Sequence, residues 1–334
     1  MQIGTGLFTC QHRPDDDRSR RDLYQELLTL GRAIEDAGLA SAWVSEHHFT
    51  DDGYLSGTMP ALGALAATTE SIDIGTCIAL APLYDSVRLA EDAATVSLLS
   101  GGRLSLGMAV GYVDDEFDRF GVPKEERTAR LEDAVRVLRG AWSEGPLDFE
   151  PEFHDAPADT LVTPKPESQP PILLGGKAKP AVRRAARIAD GWIAPSSLSI
   201  DGVRVRQQDI HEIREKEGID GEFTTYLIQH GFVADSKEEA WETMKDGYLY
   251  LQRKYAEWGS GESIPELPAA RVEKLKAQAI FGTPADVIDQ LEPYREALGD
   301  DVHFIFRTYY PGIGTDAMVE CVERLGDEVV PHFA

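Results

Sequence analysis

Lysine is scarce in this chain: ten residues of 334, none before Lys124. The 33 basic residues face 58 acidic ones, a formal net charge of -25. A surface of that sign repels nucleic-acid phosphates and anionic membranes, so neither is an expected partner. Cysteine is nearly absent as well. Cys10, Cys77 and Cys321 are widely spaced and contain no C-x-x-C, which excludes a disulfide framework and a zinc site by spacing. No apolar run reaches the roughly 18–20 residues of a membrane helix, and the chain enters strand-like sequence at 3–8 without a basic or apolar leader. A cytoplasmic location is the expectation. The first strand-to-helix junction, 8–12, lacks the Gly-x-Gly-x-x-Gly of a dinucleotide fold.

Apolar side chains make up 42% of the chain, with 12 Phe, 11 Tyr and 5 Trp, enough for a packed core. The acidic residues are spread along the sequence rather than gathered in a tail, the pattern of a solvated surface suited to high salt. Short β-rich runs at 3–8, 41–45, 72–78, 103–109, 172–174, 191–194, 226–234 and 302–307 alternate with helical patterns. The helices are expected at 22–37, 59–69, 87–99, 125–142, 180–188, 203–216, 237–258, 284–298 and 315–330. Gly38 is a stop signal, and Ser236 before Lys237, Glu238 and Glu239 a start signal. Strict alternation implies right-handed crossovers and a parallel sheet, and eight repeats are the number that closes a barrel. The expectation is therefore an α/β fold: one (β/α)8 TIM-barrel domain over 1–334, with loop insertions at about 145–171 and 256–275 as possible covers.

The strongest local signal is Trp43-Val44-Ser45-Glu46-His47-His48-Phe49, a strand ending in a carboxylate and two imidazoles where barrel enzymes keep their catalytic groups. Adjacent histidines at a strand end point in opposite directions, which makes them poor co-ligands, and no metal is expected. Of the two, His47 is read as functional and His48 as a strand cap or the partner of a buried carboxylate. The segment resembles the bacterial luciferase-like flavin-dependent oxidoreductases, in which Glu-His-His-Phe follows the second strand. By that resemblance His47, beside Glu46, handles protons, a task suited to an imidazole near neutral pH.

The resemblance extends through 74–83, 87–92 and 98–104, then 107–112 and 116–121, then 172–180 and 186–192, and covers nearly the whole chain. It implies reduced FMN, or its deazaflavin relative F420, at the C-terminal mouth of the barrel, above a non-proline cis peptide matching Cys77–Ile78. Cys77 itself reads as a packing residue. At Val110 the chain departs from bacterial luciferase, which has an arginine there for the flavin phosphate. The glycines at 175 and 176, with Lys177 and Ala178 opening a helix, form an alternative anion site. The cofactor set is therefore Cys77, Ile78, Ala109, Gly111, Gly175, Gly176, Lys177 and Ala178, with Phe8, Tyr112 and Arg307 around the substrate. Arg307 could face that substrate or pair with an acid of the rim.

What the resemblance implies for function is a monooxygenase using reduced FMN from a separate flavin reductase and O2 on a small organic substrate. F420-dependent hydride transfer and flavin binding without turnover are the alternatives. A homodimer is expected, as in many relatives.

Overall fold

The computed structural model describes every residue except Asp155. Its strands are β1 (Gln2–Phe8), β2 (Ser41–Val44), β3 (Asp73–Ala79), β4 (Leu104–Met108), β5 (Ile172–Gly175), β6 (Gly191–Ala194), β7 (Thr224–Val233), β8 (Ile280–Gly282) and β9 (Val302–Arg307). Strands β1 to β7 pair in order, all parallel; β9 closes the ring between β7 and β1. This is the closed eight-stranded barrel expected from the alternation. The short β8 lies outside the ring, paired with Gly231–Val233 at the far end of β7. Three residues are too few to show a period, which is why the sequence does not announce it.

Around the ring lie α1 (Arg20–Asp36), α2 (Thr58–Thr68), α3 (Ser86–Ser100), α4 (Asp114–Phe120), α5 (Arg127–Trp142), α6 (Lys179–Ile188), α7 (Ile200–Glu217), α8 (Lys237–Ser260), α9 (Ala269–Gln278), α10 (Pro284–Leu298) and α11 (Thr315–Arg324). Capping boxes start two of them. Ser19 with Asp22 opens α1, whose Leu23, Leu27, Leu30 and Ile34 form the buried stripe, and Thr283 with Asp286 opens α10. Ser236 accepts from the Glu239 amide at the start of α8. The expected final helix at 315–330 is α11 only as far as Arg324; a π-helical turn follows over Leu325–Val329.

The expected loop at 256–275 is largely helical. The end of α8 reaches Ser260 and α9 begins at Ala269, after Pro268 as N-cap. Only Leu275 of α9 is buried, so no apolar stripe marked it in the sequence. In the 145–171 stretch, described apart from Asp155, Leu147 and Val162 are buried.

Alternation along each strand divides the core in two. On β9, Phe304 and Phe306 pack outward toward the helices, Phe304 edge to face with Tyr294 of α10. Ile305 points the other way, into a small apolar group with Leu7, Trp43, Cys77, Leu173 and Ile193 that fills the barrel. Trp43 fits because Gly75 beside it has no side chain: a Cβ there would lie 2.4 Å from the indole. Beneath this layer the polar atoms are matched. Trp43 Nε1 donates to Ser41 Oγ (2.7 Å), Ser41 Oγ donates to His303 Nε2 (2.7 Å), and His303 Nδ1 donates to Gln2 Oε1 (3.1 Å). That relay needs a neutral imidazole, and burial lowers the His303 pKa to about 4.

Candidate functional site

Beyond β2 the chain carries Glu46, His47 and His48 into the barrel mouth. The Ser45 amide donates to Phe8 O (3.1 Å) and the His47 amide to Leu55 O (3.2 Å), tying this turn to the end of β1 and to the following loop. The two imidazoles diverge, each onto a different glutamate. His48 Nε2 meets Glu46 Oε1 at 2.7 Å, while His47 Nδ1 meets Glu116 Oε1 at 2.9 Å.

Glu116 belongs to α4, and the sequence did not single it out for chemistry. Of the three acids in the first turn of α4, Asp114 and Asp115 are exposed and Glu116 is buried. Its Oε1 also accepts from the His48 amide (2.9 Å), and its Oε2 is buried without a protein partner among the described residues. Because a carboxylate only accepts, the proton shared with Glu116 sits on Nδ1 of His47, and Nε2 is the nitrogen left for other partners. The acidic first turn and the terminating Gly121 are start and stop signals for a helix absent from the sequence expectations, and nothing in them gives the direction of the third acid.

Glu46 is engaged on both oxygens. Besides His48, it accepts from Tyr84 Oη (2.8 Å) and the Leu80 amide (3.3 Å), so it clamps the end of β2 to the turn after β3. Burial, with Glu46 alongside, holds the Tyr84 phenol well above its usual pKa, which keeps it a donor.

An aromatic cage surrounds His47: Trp258 at 4.6 Å between ring centroids, Tyr54 at 5.0 Å, Tyr112 at 5.7 Å and Tyr255 at 5.8 Å. Tyr255 and Trp258 come from the last turns of α8, and of the expected 256–275 stretch Trp258 packs against the candidate catalytic histidine. Gly111, buried with φ 71°, turns the chain after β4 toward Tyr112, itself 43% exposed. Trp258 also lines a cavity of about 690 Å³ with His12, Arg20, Asp52, Tyr250 and Lys254.

Beneath the cage a chain of hydroxyls leads to Arg307. The guanidinium Nη1 donates to Tyr255 Oη (3.0 Å); Tyr255 donates to Tyr54 Oη (2.9 Å), which donates to Ser45 Oγ (2.8 Å). Arg307 is buried and forms no ion pair among the described residues, so its expected alternative of an acid at the rim is not what the structure holds. Phe8 is buried edge to face on Tyr309.

On the other side of the mouth, the Cys77–Ile78 peptide is cis and the β3–β4 register shifts between Thr76 and Ala79. Cys77 is buried and its thiol is pushed up to about 12, which removes it as a nucleophile at neutral pH. Ile78, Ala109, Gly175 and Gly176 are all partly exposed and adjoin one another. A Cβ on Gly175 would lie 2.2 Å from Ile78 Cδ1 and 3.8 Å from the Ala109 Cβ, so the glycine lets the Ile78 side chain pack against the backbone of β5 beside Ala109. Trp192 Nε1 donates to Gly176 O (2.8 Å) and Arg206 Nε to Lys177 O (2.8 Å), pinning the turn that leads to α6. Ala178, the N-cap of α6, offers no side-chain acceptor, so amides of the first turn face solvent beside the exposed Lys177.

Fold and site together define a parallel β/α barrel whose catalytic and cofactor-binding candidates share the C-terminal mouth. The chain belongs to the luciferase-like monooxygenase family, whose pattern matches residues 1–301. It is similar to the oxygenase component of the flavin-dependent trigonelline monooxygenase of Acinetobacter baylyi, 25% identical, with 98% of this chain aligned to 95% of that protein. It is also 26% identical to the F420-dependent glucose-6-phosphate dehydrogenase of Amycolatopsis mediterranei, over 82% of this chain and 86% of that one. A monooxygenase of Streptomyces bottropensis shares the fold with a TM-score of 0.89 at 22% identity, each chain covered completely. The family includes FMN-dependent monooxygenases and F420-dependent oxidoreductases, and this chain is an enzyme of that oxidoreductase class.

Proposed function

We propose that this protein is the oxygenase of a two-component system, taking reduced FMN from a separate reductase and inserting oxygen from O2 into a small organic substrate. The observation that carries the reading is that Ile78, Ala109 and Gly175 adjoin and stay partly exposed in the same barrel mouth as a histidine whose Nδ1 proton is fixed by Glu116. A flat ring fits against this partly exposed apolar strip, and the uncapped start of α6 with Lys177 fits its phosphate. Bound there, reduced flavin supplies the electrons that activate O2.

The residues of the chain then divide the remaining work. His47 Nε2 accepts or returns a proton at the reacting centre, and Glu116 holds the imidazole in that tautomer. Glu46 acts as a positioning residue, fixing the turn from which His47 projects. Tyr54, Tyr112, Tyr255 and Trp258 exclude water from the histidine. Cys77 and Gly111 shape the walls, and Gly176 and Ala178 present backbone to the phosphate. Tyr112, exposed at the edge of the cage, and Arg307 contact the substrate; Phe8 supports them from within. We further propose a homodimer, to be checked by light scattering.

The F420 reading is favoured by one observation, the valine at position 110, which offers no cation for an FMN phosphate. Titration of the protein with reduced FMN and with reduced F420, each followed by fluorescence under nitrogen, separates the two. Tighter binding of reduced FMN, with O2-dependent turnover that His47→Ala lowers about 10²–10⁴-fold, is expected. Tighter binding of F420 with turnover indifferent to O2 would transfer the protein to the hydride-transfer branch.

A further inference from the structure

Arg307 is the most completely enclosed cation of the barrel mouth, and only part of it is used. Its Nη1 donates to Tyr255, while Nε and Nη2 are buried with no hydrogen-bond partner among the described residues. No carboxylate lies within ion-pairing distance among the described residues. A desolvated guanidinium with open donors is costly unless a ligand completes it.

The geometry of the two open donors is informative, because the same chain shows what they bind elsewhere. Arg13 uses Nε and Nη2 on the two carboxylate oxygens of Asp15, at 2.9 and 2.6 Å. Arg18 uses the same pair on Asp16, and Arg187 on Glu217. In each case this edge of the guanidinium grips both oxygens of one carboxylate, the side-on fork that planar oxyanions match. At Arg307 that edge is the open one.

From this we propose that the substrate of the enzyme carries a carboxylate, received bidentately by Nε and Nη2 of Arg307. The proposal rests on the oxygenase reading only for the word substrate; the anion site itself does not depend on the cofactor. Its position suits the role. Tyr255, which holds Nη1, lies with its ring centroid 5.8 Å from that of His47, so the fork adjoins the cage around the histidine. Selectivity follows from charge. A protein of net charge -25 collects anions only where a cation is built to receive them. Removing one partner of a buried charge-assisted pair costs a large factor in affinity, so an uncharged analogue of the same shape is rejected.

The test is calorimetric titration of the full chain, without flavin, with acetate, propionate and benzoate, each against its neutral amide. At least one carboxylate is expected to bind at least tenfold more tightly than its amide. Arg307→Met should abolish that preference, Arg307→Lys should weaken it because an ammonium lacks the fork, and Tyr255→Phe should keep it. If Arg307→Met does not fold, the wild-type comparison and the lysine variant still decide. No carboxylate preferred over its amide, or a preference undiminished in the lysine and methionine variants, overturns the proposal. Reduced FMN is titrated separately into the same variants. Loss of FMN binding in Arg307→Met without any carboxylate preference assigns the fork to the cofactor and rejects the proposal while the oxygenase reading stands. Carboxylate preference through Arg307 in a protein that binds F420 and not FMN does the reverse.

Discussion

His303 illustrates how a single side chain couples the barrel to solution conditions. Its ring accepts from Ser41 and donates to Gln2, an arrangement only the neutral form satisfies, and burial holds its pKa near about 4. An unfolded chain binds a proton at this residue below about 6.5, while the folded chain resists until about 4. The stability it contributes is therefore complete above 6.5 and declines as pH falls through that window, by about 3 kcal/mol in all. His230, buried and close to Arg307, is depressed in the same direction. Urea unfolding of the wild type and of His303→Gln between pH 7 and 4 checks this; the variant should lose less stability on acidification, and parallel curves would contradict it. Sequence alone could not assign this role. His303 sits in a run of apolar residues, and its partners at positions 2 and 41 are remote in the chain.

At the scale of elements, the close approaches between strands do the positioning. Gly75 of β3 admits Trp43 of β2, and an added methyl there would meet both the indole, at 2.4 Å, and the Ser105 carbonyl oxygen, at 2.7 Å. Gly75→Ala is expected to cost about 1–3 kcal/mol, read as a lower urea midpoint with an unchanged slope. An unaltered midpoint would mean that β3 shifts freely. The helices repeat the lesson in another form. Those with an apolar stripe and a cap, such as α1 and α8, were legible; α9, with one buried residue, and the seven-residue α4 were not. Yet α4 brings Glu116 to His47, and the end of α8 brings Tyr255 and Trp258 over it. Functional placement thus depended partly on the elements with the weakest periodic signal.

For the molecule as a whole, the dominant long-range term is self-repulsion of its net charge of -25. Raising KCl from 0.1 M to 1 M shortens the screening length from about 10 Å to about 3 Å. The thermal midpoint is expected to climb over that range, and a flat response would show that the acidic surface carries no stability consequence. Local pattern determined the eightfold strand-helix alternation, the strand bearing Glu46 and His47, and the glycine-rich turn at Gly175, because period, turn chemistry and capping are properties of neighbouring residues. The placing of β8 outside the ring, the pairing of His47 with Glu116, the aromatic cage and the unpartnered fork of Arg307 were decided only in three dimensions. Each joins groups tens to hundreds of residues apart, and which donor finds which acceptor is set by barrel geometry rather than by any neighbour in the chain.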